Sequence, residues 1–312
     1  MLSRRNVRIK VMQVLYAMNR DENLGMKEAL NQYKQSVNRS FELYLFNLWQ
    51  LLQTALYAKE DHARRNAKLL PSEEDKNFTT KLCDNTLTRS LLENPELQNY
   101  IKTYHTSRKL DADITRKLYA EFAKAENYLK YLNTEEPGQE MHTQILLQLF
   151  KSCINDEVFN DRIEDFFSTW SDDKSLVVGS IKKTLKALPA AADFLNDYIP
   201  SKETTEEFGE TLLRQVFQKD EELLELIEPT LKNWDVERVA IIDMILLKMA
   251  LVELMAFPTI PTKVTINEFV EISKMYSTDK SKDFINGILD RLMKKLQKDG
   301  KIKKEGRGLI DD

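Results

Sequence analysis

Apolar residues recur along this chain at helical spacing from one end to the other, and no segment alternates with the period of a strand. Behind Ser3, a good N-cap, the residues Val7, Val11, Val14, Leu15 and Met18 form one apolar stripe. It predicts a first helix that ends before Gly25. Arg4, Arg5, Arg8 and Tyr16 fall within about a third of that helix's circumference. A second helix is expected from Met26. Residues 36–200 then read as a series of helices. FELYLFNLWQLLQTALYAKE is strongly amphipathic, and Asn94-Pro95 pairs an N-cap with proline at the first helical position. Ile114, Leu118, Phe122, Leu129 and Leu132 make a further stripe, broken by EEPGQE at 135–140; QILLQLFKSC, VFNDRIEDFFSTW and SLVVGSIKKTLKAL follow. There is no repeat of fixed period. After a polar junction at 199–210, four helices are predicted in close succession, at about 206–231, 235–257, 264–276 and 280–298. Pro258 and Pro261 punctuate the second gap. Residues 299–312 read as a flexible tail.

Two segments depart from ordinary patterning. Residues 239–257 are the most apolar stretch, yet they carry Asp243, Lys248 and Glu253. Three charges exclude a membrane span and point to a helix buried on most sides within a bundle. In SKDFINGILDRL, at 281–292, Phe284, Ile285, Ile288, Leu289 and Leu292 keep helical spacing around Asn286-Gly287. That pair is ordinarily a turn signal, and a glycine inside a helix costs about 1 kcal/mol relative to alanine.

Composition agrees with long helices and few turns. Of 312 residues only 8 are Gly and 8 Pro; 42% are hydrophobic and 31% charged, which excludes a mostly disordered chain. The expected class is all-α. Net charge is −4, which taken globally argues against a nucleic-acid binder, but local patches decide such binding. Residues 1–20 hold Arg4, Arg5, Arg8, Lys10 and Arg20 with no Asp or Glu, and the segment from Arg291 is rich in lysine. Cys83 and Cys153 lie far apart without metal-ligand spacing, and His62, His105 and His142 are scattered, so neither a disulfide framework nor a metal site is expected. Two reduced thiols fit a cytoplasmic location. The start, MLSRRNVRIK, lacks the apolar core of a signal peptide. No glycine-rich phosphate loop, zinc-hydrolase motif or nucleophile elbow occurs. The acidic clusters at Glu203, Glu206, Glu207 and at Glu221, Glu222, Glu225 read as solvated helix faces. No enzyme and no cofactor are expected.

The C-terminal segments WDVERVAIIDMILLKMALVEL, PTKVTINEFVEISKMY and SKDFINGILDRL resemble the NusB family of bacterial transcription antitermination factors. The resemblance is carried in order by Trp234, Arg238, Asp243, Lys248, Glu253, Pro261, Asn267, Glu268, Glu271, Lys274, Phe284, Asn286, Gly287 and Asp290, among others. SRRNVRIKVMQVLYAM resembles the family's first helix. The resemblance covers residues 1–35 and about 205–296. It implies a NusB-like helical bundle made of 1–35 and 205–298, interrupted by an inserted α-helical subdomain at 36–204 and followed by the tail at 299–312.

By that resemblance the chain would bind boxA RNA of ribosomal RNA leader transcripts together with NusE, a small-subunit ribosomal protein, within the transcribing RNA polymerase complex. Arg4, Arg5, Arg8, Tyr16, Lys274, Tyr276, Phe284 and Asn286 would form the RNA surface; Pro229 and Asp243 would face NusE. Single-stranded bases suit arginine and aromatic contacts. Phe284 would either stack a base or belong to the core, and Gly287 would admit either a ribose or a neighbouring backbone. Replacing Arg4, Arg5 and Arg8 together would weaken RNA binding and leave stability nearly unchanged. Lys280 and Asp283 reverse the charges common in the family at these positions, and Asp283 would repel phosphate. Two alternatives follow. One is an interaction scaffold that has lost RNA binding. The other is a relative of the RNA-binding domain of rRNA cytosine methyltransferases, whose glycine-rich cofactor domain has no counterpart in this sequence.

Overall fold

A computed structural model describes residues 1–231 and 236–309. Among the described residues every regular element is helical and there is no strand, as the apolar periodicity requires. Trp234 lies outside them. The chain divides into two compact units, one of Leu2–Val37 with residues from Pro200 onward, the other of Asn38–Ile199 with Met1.

In the first unit, Ser3 caps the Arg4–Arg20 helix through the Asn6 backbone N–H, while the Asn6 side chain accepts from the Ser3 N–H at 3.1 Å. Val7, Val11, Val14 and Leu15 are buried as the stripe predicts, but so are Ile9, Met12, Arg8 and Lys10. The helix is therefore enclosed around more of its girth than one stripe allows. The expected helix at 206–231 is instead four pieces: a π-helical turn over Glu203–Glu210, then Thr211–Gln218, Asp220–Ile227 and a 3-10 turn at Glu228–Thr230.

The Ile241–Ala256 helix is the centre of this unit; Leu246, Leu247, Met249, Ala250, Leu251, Val252 and Leu254 are fully buried. Each of its three charges has a partner. Asp243 accepts from Ser281, Lys248 pairs with Asp220, and Glu253 pairs with Arg8. Those partners are why an apolar helix can carry charge. The Thr262–Tyr276 and Ser281–Lys298 helices pack on it and on each other.

Residues 299–309, expected as a flexible tail, are held in place. The Lys301 N–H donates to the Leu296 carbonyl at 2.9 Å and the Glu305 N–H to the Pro258 carbonyl at 3.0 Å. The Lys304 ammonium donates to the Phe257 carbonyl at 3.1 Å. The Gly306–Leu309 turn follows, with Gly308 buried. All three acceptors are backbone carbonyls, which side-chain patterning does not encode.

The second unit has a core rich in aromatics, with Tyr44, Phe46, Tyr119, Tyr128, Tyr131 and Trp170 almost wholly enclosed. Their polar atoms are satisfied: Tyr44 bonds Thr184 at 2.7 Å, and the Trp170 indole donates to Asn160 at 3.0 Å. The stripe expected through Leu132 breaks at residues 123–125. In the Glu126–Asn133 helix the inward face is Tyr128 and Tyr131, and Leu129 is exposed. A turn between helices resets the phase, so apolar residues on either side of it need not share a face. Cys83 and Cys153 are buried free thiols; burial pushes the first up to about 11 and the second to about 12, so both stay protonated near neutrality.

Candidate functional site

Two grooves in the first unit hold five of the ten candidate site residues. The first lies at the start of the Arg4–Arg20 helix, has a volume of about 560 Å³, and is lined by Arg4, Arg5 and Arg8 with Ile260, Pro261, Val264, Glu268 and Arg307. Helical spacing brings the three arginines to one end of one helix, but their environments differ. Arg4 has a side chain 39% exposed and reaches Glu203 at 3.1 Å. Arg5, 47% exposed, forks onto both oxygens of Glu268, at 2.8 and 2.6 Å. Arg8 is buried and forks onto Glu253 at 2.7 and 2.6 Å, with a third contact to Glu268 at 3.3 Å. Its guanidinium also lies 5.2 Å from the Phe208 ring centroid and 5.7 Å from that of Phe269. The bond from Arg5, against the opposing effect of burial, and the charge of Arg8 hold the Glu268 carboxyl below its usual range.

This corrects the expectation for Arg8. It is a structural ion of the bundle, not part of a solvated basic face. Two further family positions, Glu253 and Glu268, are the counter-ions of the arginine helix. The spacing of Arg5 and Arg8, one turn apart, was the available signal for a shared carboxylate partner.

The second groove, about 580 Å³, is lined by Arg238, Val239, Ala240, Asp243, Thr278, Lys280, Ser281, Asp283, Phe284, Gly287, Ile288 and Arg291. Asp243 is only 5% exposed. Its Oδ2 accepts from the Ser281 hydroxyl at 2.7 Å, while Oδ1 is buried without a hydrogen-bond partner. An incoming donor would satisfy it. Phe284 is half-buried in the groove wall, and Asn286 is exposed one residue short of Gly287. Arg291 donates to the Thr230 carbonyl at 3.2 Å, next to the exposed Pro229. The structure thus brings Phe284 and Asp243, expected in separate roles, to one groove. Arg238, Ser281 and Arg291 join it without having been expected in the site.

Gly287 settles the puzzle of the glycine within the helix in an unexpected way. A Cβ built there meets nothing within 4 Å. No neighbouring backbone requires the glycine, so the tight-packing reading is withdrawn. Gly287→Ala is expected to stabilise the fold by about 1 kcal/mol, read as a higher midpoint in urea unfolding. A lower midpoint would contradict the open space seen at this position.

The remaining predicted residues lie elsewhere. Tyr16 is 39% exposed, two helical turns beyond Arg8 and outside the first groove. Lys274 pairs with Glu271 on its own helix, and Tyr276 is half-buried at that helix's end; neither lines either of these two grooves. Among the described residues no cluster could hold a metal ion, and no helix is long and apolar enough to cross a membrane.

Comparison with known proteins bears on both grooves. Residues 181–294 match the NusB family. A relative from Salinibacter ruber is 43% identical over 107 residues, which is 34% of this chain and 67% of the relative. One from Chloroherpeton thalassium is 41% identical over 100 residues, 32% of this chain and 47% of the relative. One from Natranaerobius thermophilus is 38% identical over 92 residues, 30% of this chain and 66% of the relative. Each is called transcription antitermination protein NusB, the name of a transcription factor and not of an enzyme. The matched segment contains Asp243, Glu253, Glu268 and Phe284, and most of Asn38–Ile199 lies outside it. No solved structure matches the chain.

Proposed function

The chain belongs to the NusB family, and from that premise we propose that it is a cytoplasmic transcription antitermination factor. In this reading it binds boxA-type RNA of ribosomal RNA leader transcripts together with NusE, as part of the transcribing RNA polymerase complex. The observation that carries the proposal is the second groove. There an aromatic ring, Phe284, lines the same groove as Asp243, one of whose carboxylate oxygens is buried and still lacks a donor. An unpaired base can stack on the ring, with the exposed amide of Asn286 offering a donor and an acceptor to its edge. The Asp243 carboxylate and the neighbouring surface at Pro229 suit a protein partner that brings donors. Arg4 and Arg5 stand at the first groove, each paired with a carboxylate that a phosphate would have to displace.

The test is a titration of boxA RNA against the full chain, with and without NusE. Phe284→Ala is expected to weaken RNA binding by about 1–3 kcal/mol and to change the melting temperature little, since the ring is not enclosed. Equal affinity for boxA and scrambled RNA, unaltered by NusE, would refute the proposal.

A second reading has its own support. Arg4, Arg5 and Arg8 all carry carboxylate partners, and Asp283 lines the second groove. A scaffold that binds NusE without RNA would look the same. Binding of NusE in the absence of any RNA affinity would favour it.

A further inference from the structure

The first groove also holds a residue beyond the C-terminal end of the family resemblance. Arg307 lines it from residues 299–309, which return from the end of the Ser281–Lys298 helix. We propose that these residues form a strap that completes an anion-binding groove, and that Arg307 supplies its uncompensated charge to the phosphodiester backbone of single-stranded RNA. The inference deepens the nucleic-acid reading above and rests on it.

Charge decides the matter. Arg4 faces Glu203, Arg5 faces Glu268 and Arg8 faces Glu253. These three arginines and three carboxylates sum to zero, so the predicted basic edge offers an arriving phosphate little net attraction. A phosphate at Arg5 must also compete with a two-pronged carboxylate contact. Arg307 has no ion pair or hydrogen bond to any described residue. A guanidinium in that state binds phosphate without first breaking a contact. Ile260, Pro261 and Val264 supply apolar wall beside it, suited to ribose and base faces.

The strap is built to fix this position. The Glu305 N–H bonds the Pro258 carbonyl at 3.0 Å, and the Lys304 ammonium bonds the Phe257 carbonyl at 3.1 Å. Gly308 lies so close that an added Cβ would sit 2.0 Å from the Pro258 carbonyl oxygen. Glycine is needed there because the strap backbone presses on the loop that forms the groove's far side.

The experiment titrates a fluorescent single-stranded boxA oligonucleotide against the full chain over a series of salt concentrations. Arg307→Gln is expected to weaken binding about fivefold to tenfold at low salt. It should also reduce the slope of log affinity against log salt by about 0.7, the value for one phosphate contact on a single strand, with the melting temperature unchanged. Gly308→Ala retains Arg307 but dislodges the strap, and a similar loss is expected. If Arg307→Gln binds with the wild-type affinity and slope while Arg5→Gln binds less well, the strap's role is overturned and the nucleic-acid reading stands. If the wild-type chain binds no RNA, both fall. If Gly308→Ala binds like wild type, the fixed strap is overturned.

Discussion

Arg8→Met is expected to destabilise the fold by about 3–5 kcal/mol, the loss seen when one member of a buried ion pair is removed. Arg8 and Glu253 have side chains 3% and 0% exposed, and both oxygens of Glu253 accept from the guanidinium. The Thr265 hydroxyl also donates to Glu253, at 2.8 Å. With the arginine gone, that single hydroxyl cannot offset the desolvation of an ionised carboxylate, and the rings of Phe208 and Phe269 lose the cation between them. Urea unfolding followed by helical circular dichroism reads the loss. The double variant Arg8→Met, Glu253→Met removes both charges, and it should recover more than half of the stability, because buried ion pairs exchange with apolar pairs at little net cost. If Arg8→Met unfolds at the wild-type midpoint, the buried pair is not what holds the first helix to the bundle.

That result bears on how RNA binding must be tested. Replacing Arg4, Arg5 and Arg8 together would lower affinity by unfolding the bundle, whatever the surface does. Only Arg4 and Arg5 are exposed enough to report on RNA, and surface pairs such as theirs contribute about 0–1 kcal/mol to stability. Single substitutions at these two positions keep binding and folding separate.

What the sequence made legible follows from local periodicity. Val7, Val11, Val14 and Leu15 point inward because a 3.6-residue repeat leaves them no other face. Ser3 caps because its oxygen can reach the Asn6 N–H. The charges within 239–257 excluded a membrane span, and the structure gives each a partner. The errors have the opposite character. Arg8 and Glu253 are 245 positions apart, and periodicity cannot tell a buried arginine from an exposed one on the same helix edge. The strap at 299–309 is held by backbone carbonyls, which are alike in every sequence. Arg307 escaped notice for that reason. Phe284 and Asp243 were both picked out by family resemblance, but that they share a groove is a property of the packed helices alone.

Gly209→Ala is the second large expected effect. Gly209 is buried in the π-helical turn over Glu203–Glu210, against Val7 of the Arg4–Arg20 helix and Tyr33 of the helix that begins at Met26. A Cβ there would lie 1.9 Å from the Tyr33 hydroxyl and 2.6 Å from a Val7 methyl. Tyr33 is 1% exposed and donates to the Thr205 carbonyl at 2.8 Å, so it cannot swing into solvent. Val7 is fully buried. The added methyl must therefore push two helices apart or break the tyrosine's hydrogen bond. Overpacking of a core costs about 1–3 kcal/mol, and the orphaned carbonyl and hydroxyl add about 1 kcal/mol. A total near 3 kcal/mol should appear as a lower urea midpoint. The variant Gly209→Ala, Tyr33→Phe removes the hydroxyl that clashes first and should regain part of the loss, which separates the steric cause from a change in helix propensity. Alanine favours a helix over glycine by about 1 kcal/mol, so a site with room would be stabilised. Stabilisation by Gly209→Ala would mean that the first helix and the Glu203–Glu210 turn do not approach as closely as their packing around Val7 and Tyr33 requires.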